Sequence, residues 1–432
     1  MNSILKIAVP SIIANITTPL LGMIDMAIVG HMGDTVYIAA ISLGGIIFSM
    51  IYWVFGFLRM GTSGLTAQAI GRNDASGSNT VLMQAISLAF ALGITFIILQ
   101  APIRDLMLRF LGADAYTNRL ASEYFNILIY GAPATLLTYS FNGWFIGNQN
   151  SKATLWISLT INIVNILASL ILVYALRMGI AGVATGSLIA QWSGVAMALF
   201  LSLRHGASYK FSFSIMRGEQ LSRFFKVNRD IFLRTLCLVA VTVWFTRAGA
   251  RQGDVILSVN ALLMQLFLLF SYIMDGFAFA GEALAGKLAG EMQTADKCGL
   301  KSLMSKRNAL LKSLFLHGVV IAIAFTIIYF AGGETLLSIL SDDPDVAAAS
   351  ADYRYWAATV PLAGFGAFIW DGIFIGETRT RGMLISIAAA MIVYFIVYFS
   401  LIAYMGNHAL WLAFVLYLSV RAIAQSILYF RK

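Results

Sequence analysis

The chain has 432 residues, 59% of them hydrophobic and 11% charged, and a formal net charge of +9. Soluble domains carry about a quarter charged residues, so a chain of mean hydropathy +0.82 cannot cover its own surface in water and must use lipid as its solvent. The positive charge sits in short loops beside hydrophobic runs, and no Lys/Arg stripe with interleaved aromatics crosses a polar domain, which excludes nucleic-acid binding.

Apolar runs of spanning length begin near Ile4, Val36, Val81, Ala121, Ala153, Ile180, Ile231, Val255, Leu310, Tyr353, Met383 and Ala409. They predict an all-α integral membrane protein of twelve transmembrane helices in two pseudo-symmetric six-helix bundles. The runs after Val36 and Val255 exceed what a bilayer needs and are expected to tilt or project. Met1-Asn2-Ser3 leads straight into a span too long for a signal-peptide core, so a retained first helix is expected. With the N-terminus inside, nineteen Lys/Arg fall on the internal side, including the clusters Arg204 to Arg229 and Lys287 to Lys312, against seven outside. That asymmetry predicts a bacterial-type inner membrane protein with both termini cytoplasmic, and the acidic stretch Asp342-Asp343-Pro344-Asp345 on the outer side agrees. The longest polar connection follows six spans, dividing the chain into lobes 1–210 and 211–432.

The halves repeat. Gly33-Asp34 matches Gly253-Asp254, Gly56-Phe57 matches Gly276-Phe277 and Gly61 matches Gly281, all at an offset of 220. Asn142-Gly143-Trp144-Phe145-Ile146-Gly147 matches Asp371-Gly372-Ile373-Phe374-Ile375-Gly376 at an offset of 229. Six spans separate the copies, so both insert with one orientation, and an axis along the membrane normal with a cavity between lobes is expected.

Polar residues line single faces of the apolar helices. The first span carries Ser11, Asn15, Thr18, Gly22 and Asp25; the fifth carries Ser158, Asn162, Asn165 and Ser169; the sixth carries Ser187, Gln191, Gly194 and Ala198. All are spaced by three or four residues, as one helix face requires. Turned toward one another they predict a polar pocket in the first half. Small residues and hydroxyls also serve plain helix packing, but a carboxylate inside a span costs about 3 kcal/mol and must be paired, solvated or neutralised. Asp25 is therefore the leading functional candidate, and Pro10 and Pro19 flank the stripe and predict a kinked first helix.

The second half holds Asp230 and Arg234, one turn apart and expected to pair with each other; Asp275 and Glu282, two turns apart on one face; and Asp371. Asp371 and Glu282 have no local partner and are read as functional candidates. Arg234 or Lys287 could neutralise one of these acids. The four histidines are scattered, two cysteines make neither a disulfide framework nor a metal cluster, and no P-loop, nucleophile elbow or zincin helix occurs. No enzyme, no cofactor and no firm metal site are expected, and an ion gradient must supply the energy.

Gly22-Met23-Ile24-Asp25-Met26-Ala27-Ile28-Val29-Gly30-His31, the stretch Met60 to Gly71, Asn228-Arg229-Asp230-Ile231-Phe232-Leu233-Arg234-Thr235 and Asp371 to Gly376 occur in this order along the whole chain. In them the sequence resembles the multidrug and toxic compound extrusion (MATE) family, in its DinF-like branch. The resemblance implies antiport of amphipathic, often cationic, organic compounds against H+ or Na+. It makes Asp25 the coupling carboxylate, puts Asn165, Ser169 and Ser187 in the same site and places the helix bend at Pro10. Many members carry an acid where this chain has Ser169, and its absence favours protons, since hard cations prefer several charged oxygens. The expected cycle takes up substrate inside while Asp25 is neutralised, and couples external release to proton binding there. A monomer in the lipid bilayer is expected. Sodium coupling, a lipid-linked precursor flippase and a non-transporting receptor or scaffold stay open as alternatives.

Overall fold

The computed structural model describes residues 2–30, 35–112, 114–209, 218–340 and 344–431. His31, the Gly33-Asp34 copy of the repeat, Lys210, Arg217, Asp342-Asp343 and the side chain of Thr18 lie outside the described residues. The described residues form two compact units, Val9–Asn228 and Arg229–Lys432 with Met1–Ala8. Both are built of α-helices, and no strand occurs among the described residues. That is what lipid demands, because a helix satisfies its own backbone N–H and C=O groups where water is absent.

In chain order the helices are α1 (Asn2–Gly30), α2 (Thr35–Val54), α3 (Phe57–Gly71), α4 (Ala75–Ile98), α5 (Gln100–Leu111), α6 (Ala115–Leu128), α7 (Ala132–Gly147), α8 (Ser151–Leu170) and α9 (Gly179–Arg204). They continue with α10 (Glu219–Ala250), α11 (Asp254–Thr294), α12 (Lys297–Leu340), α13 (Pro344–Gly376), α14 (Thr380–Met405) and α15 (Asn407–Phe430). Among the described residues eleven runs are long and apolar enough to cross a membrane; α2 and α3 form one such run of 36 residues, Val36–Gly71, interrupted by the turn at Phe55-Gly56. The twelfth expected span is composite. Its helix starts at Ala115, where the Asp114 carboxylate accepts hydrogen bonds from the backbone N–H groups of Tyr116 and Thr117, both at 3.0 Å. It then narrows to a 3-10 turn at Ile129–Gly131 before α7. Pro133 explains the break: it has no N–H to give the preceding turn. Neither α6 nor α7 reaches the roughly 20 residues of a bilayer span alone, but together they do.

The repeat is legible as packing. In α7 a Cβ on Gly143 would run into the carbonyl oxygen of Arg59, and one on Gly147 into that of Ser63, both on α3. In α13 a Cβ on Gly372 would meet the carbonyl of Ala278, and one on Gly376 that of Glu282, both on α11. Each pair of helices thus meets backbone to backbone through glycines four apart, the close approach that lipid-embedded helices use in place of a hydrophobic drive. The turns that follow are also copies. Gln149 (φ 59°) and Thr378 (φ 53°) adopt the left-handed conformation. Around them Asn150 N–H donates to Phe145 O and Arg379 N–H to Phe374 O, both at 2.8 Å.

Overpacking a close helix contact costs about 1–3 kcal/mol. Gly143→Leu and Gly372→Leu are each expected to lower the thermal unfolding midpoint of the detergent-solubilised protein. Gly45→Leu, at a position where a Cβ meets nothing within 4 Å, is expected to leave it unchanged.

Candidate functional site

In the Val9–Asn228 unit, α1 is helical through both Pro10 and Pro19, and it brings Asp25 into the protein interior with only 4% of the residue exposed. One carboxylate oxygen is engaged: the Ser187 hydroxyl of α9 donates to Asp25 Oδ2 at 3.0 Å. The Asn165 amide of α8 donates to that same hydroxyl at 2.8 Å and also lies within reach of the carboxylate. Tyr124, on α6, is buried nearby, with its phenol in the electrostatic field of Asp25. The other carboxylate oxygen, Oδ1, is buried with no partner among the described residues, and so are Asn165 Oδ1 and Ser169 Oγ. Ser169 packs against Gly186, directly beside Ser187. Among the described residues no cation pairs with Asp25.

The expected stripes therefore converge at Asp25, Asn165 and Ser187, with Ser169 on the adjoining seam. Asn162 and Ser158 do different work. Asn162 Nδ2 donates to the Thr17 carbonyl at 3.2 Å, and Ser158 shares a 2.9 Å hydrogen bond with the Thr17 hydroxyl, so these residues fasten α8 to α1 about two turns from Asp25. Gln191 turns its amide oxygen against Gly131 in the break between α6 and α7, and makes no bond to Asp25. Beyond Ser169, α8 widens into a π-helical turn at Ile171–Ala175, a distortion that often accompanies functional positions.

The C-terminal unit handles its buried charge differently. The expected pair of Asp230 with Arg234 is not formed. Asp230 Oδ1 instead accepts from Arg229 at 3.0 Å, and its Oδ2 accepts from the Thr380 hydroxyl at 3.1 Å. Arg234 donates to Asp371 on α13, as does Arg421 of α15, both guanidinium groups meeting the carboxylate at Oδ2. Gln425, one turn beyond Arg421, donates to Asp371 Oδ1 at 2.6 Å. Asp371 thus has partners, though none local in sequence. The reason is geometric: a one-turn spacing on α10 places two side chains near each other, but the helices packed around them choose which way the guanidinium turns. Glu282 is fully buried on α11, and Asp275 is half-buried and in the electrostatic field of Arg421.

Tyr124, Arg421 and Gln425 were not singled out by periodicity. A signal for the last two was present, since an arginine inside an apolar span needs a partner and a glutamine one turn away extends the same face. Tyr124 gave none, because an aromatic residue in an amphipathic helix reads as core.

Eleven apolar helical runs among the described residues, with acidic side chains buried inside them, define a multi-pass membrane protein. Residues 10–171 match the MatE family model. Over 97% of this chain and 89% of its relative, the sequence is 33% identical to DNA damage-inducible protein F of Escherichia coli K12. It is 22% identical to the multidrug export protein MepA of Staphylococcus aureus NCTC 8325, over 89% of this chain and 83% of that one. A crystal structure of a MATE protein in the bent conformation superposes with a TM-score of 0.86 at 19% identity, covering 98% of this chain and 92% of the other. A mutant of the Vibrio cholerae MATE transporter VcmN gives 0.85 at 14% identity, over 99% and 95%. The chain belongs to the MatE family of membrane transporters, with a DinF-type relative across nearly its whole length.

A hydrogen bond to a charged group contributes about 1.5–3 kcal/mol. Ser187→Ala removes one such bond and strands the Asn165 amide, and is expected to lower the unfolding midpoint. Ser169→Ala deletes an oxygen that has no partner among the described residues, and is expected to leave the same midpoint nearly unchanged.

Proposed function

We propose that the protein is a proton-coupled antiporter that exports amphipathic, often cationic, organic compounds from the cytoplasm across the inner membrane. In this reading both termini are cytoplasmic and the lobes 1–210 and 211–432 alternate the exposure of substrate. The observation that carries the reading is Asp25: a carboxylate buried in an apolar helix, held by Ser187 at one oxygen and open at the other. Such a group is stable in a bilayer when it takes up a cation and costly when it does not, so its occupancy biases the conformation of the helix that carries it.

The chemistry around it favours the proton. Asp25 is the one charged group in the cluster; Asn165, Ser169, Ser187 and Tyr124 are neutral. A proton needs a single open carboxylate oxygen, whereas a hard metal cation is held best by several charged oxygens. Asn165, Ser169 and Ser187 serve as polar neighbours that orient the carboxylate, and Pro10 relaxes the helix on which it sits. The multidrug export assignment of the staphylococcal relative supports the substrate class, and the nineteen-to-seven excess of internal Lys/Arg supports the orientation.

Uptake of a fluorescent organic cation into inside-out vesicles tests this directly. An imposed pH gradient, acid inside, is expected to drive uptake in the absence of sodium, while a sodium gradient at uniform pH drives none. Asp25→Asn, expressed to the same level, is expected to abolish the pH-driven uptake. Sodium-driven uptake, or full activity in Asp25→Asn, would overturn the reading.

A further inference from the structure

The C-terminal unit contains an acidic group as deeply buried as Asp25, and the proposed cycle does not use it. Asp371 is 6% exposed, and its partners Arg234 and Arg421 are 6% and 3% exposed. The helices that supply them are α10 and α15, so three elements meet at one carboxylate. Both guanidinium groups converge on Oδ2, and Gln425 Nε2 occupies Oδ1. Every oxygen of Asp371 is therefore engaged by protein donors, two of them permanently charged, because arginine does not release its proton in a protein. Other titratable groups facing the cluster among the described residues are Tyr417 of α15, whose phenol lies in the field of Arg234, Arg421 and Asp371, Asp275 of α11, which faces Arg421, and the Cys237 thiol of α10, which lies in the field of Arg234.

The contrast with Asp25 is complete at the level of atoms. Asp25 has one hydroxyl donor at Oδ2, an open Oδ1 and no cation among the described residues. The repeat adds a second contrast. The residue matching Asp371 in the first half is Asn142, which is neutral. The C-terminal carboxylate thus stands where the other copy has none, and it came with tethered cations of its own.

We infer that Arg234 and Arg421 are resident cations for Asp371, which hold it occupied throughout the cycle so that this carboxylate exchanges no ion. This rests on the proposed antiport. The same contacts make Arg234 and Arg421 positioning residues that pin α10 and α15 to α13. Removing one partner of such a cluster leaves a buried charge without compensation, whereas replacing all of it by apolar side chains of similar volume is tolerated.

The test compares variants. Asp371→Asn is expected to lose most of its folded yield. The combined Arg234→Met, Asp371→Leu, Arg421→Met variant is expected to recover folded protein and retain pH-driven uptake with the midpoint pH unshifted. A folded combined variant that has lost coupling would overturn the inference, as would a well-folded Asp371→Asn with a shifted midpoint. Asp25→Asn measured in the same preparation separates the two ideas: retained coupling there refutes the role of Asp25, whatever the C-terminal variants do.

Discussion

A carboxylate placed in a helix surrounded by hydrocarbon has lost the water that would stabilise its charge, and the protein must replace that water with donors or with a cation. The two units of this transporter meet the same demand in opposite ways. Around Asp25 the replacement is partial: one hydroxyl, backed by an amide, with an oxygen left over. Around Asp371 it is total, with two guanidinium groups and an amide closing the shell. In the proposed cycle, partial replacement leaves a group whose stability depends on a mobile ion, and total replacement yields a fixed point.

Both units hang these groups on a shared scaffold. Glycines four apart bring α7 onto α3 and α13 onto α11, and the following turns repeat the same left-handed residue and the same hydrogen bonds. Backbone contacts of that kind leave little room for change, so duplication has kept them. The side chains projecting from the scaffold are under no such restraint, and Asn142 and Asp371 occupy corresponding places with different charge. Charge, more than architecture, is where the halves have parted.

How much of this could be read from the residues depends on the range of the interaction involved. The spans follow from hydropathy, which is local, and so do the separate polar faces that carry Asp25, Asn165 and Ser187, because side chains three or four apart share a helix face whatever surrounds them. The broken span at Ile129–Gly131 was hidden by its apolar composition, although Pro133 marked the place. Partner choice was not legible. Asp230 and Arg234 sit one turn apart, yet Arg234 turns to Asp371, 137 residues away, because the packing of α13 against α10 presents that carboxylate to it. Gln191 shares the face of Ser187 but meets Gly131 instead, and Thr17, off the predicted stripe, takes the contacts with Ser158 and Asn162. Periodicity assigns a face; only the neighbouring helix says what that face touches.

The central claim is that the buried carboxylate of Asp25 has an open oxygen and that of Asp371 does not, and a carbodiimide reports that difference chemically. Dicyclohexylcarbodiimide partitions into the bilayer and reacts with carboxylic acids in their protonated form. Mass spectrometry of the treated protein in membranes is predicted to find the adduct at Asp25, in a yield that falls as the pH is raised, with Asp371 unmodified throughout. Modification of Asp371, or an Asp25 that stays unmodified at every pH, would contradict the account.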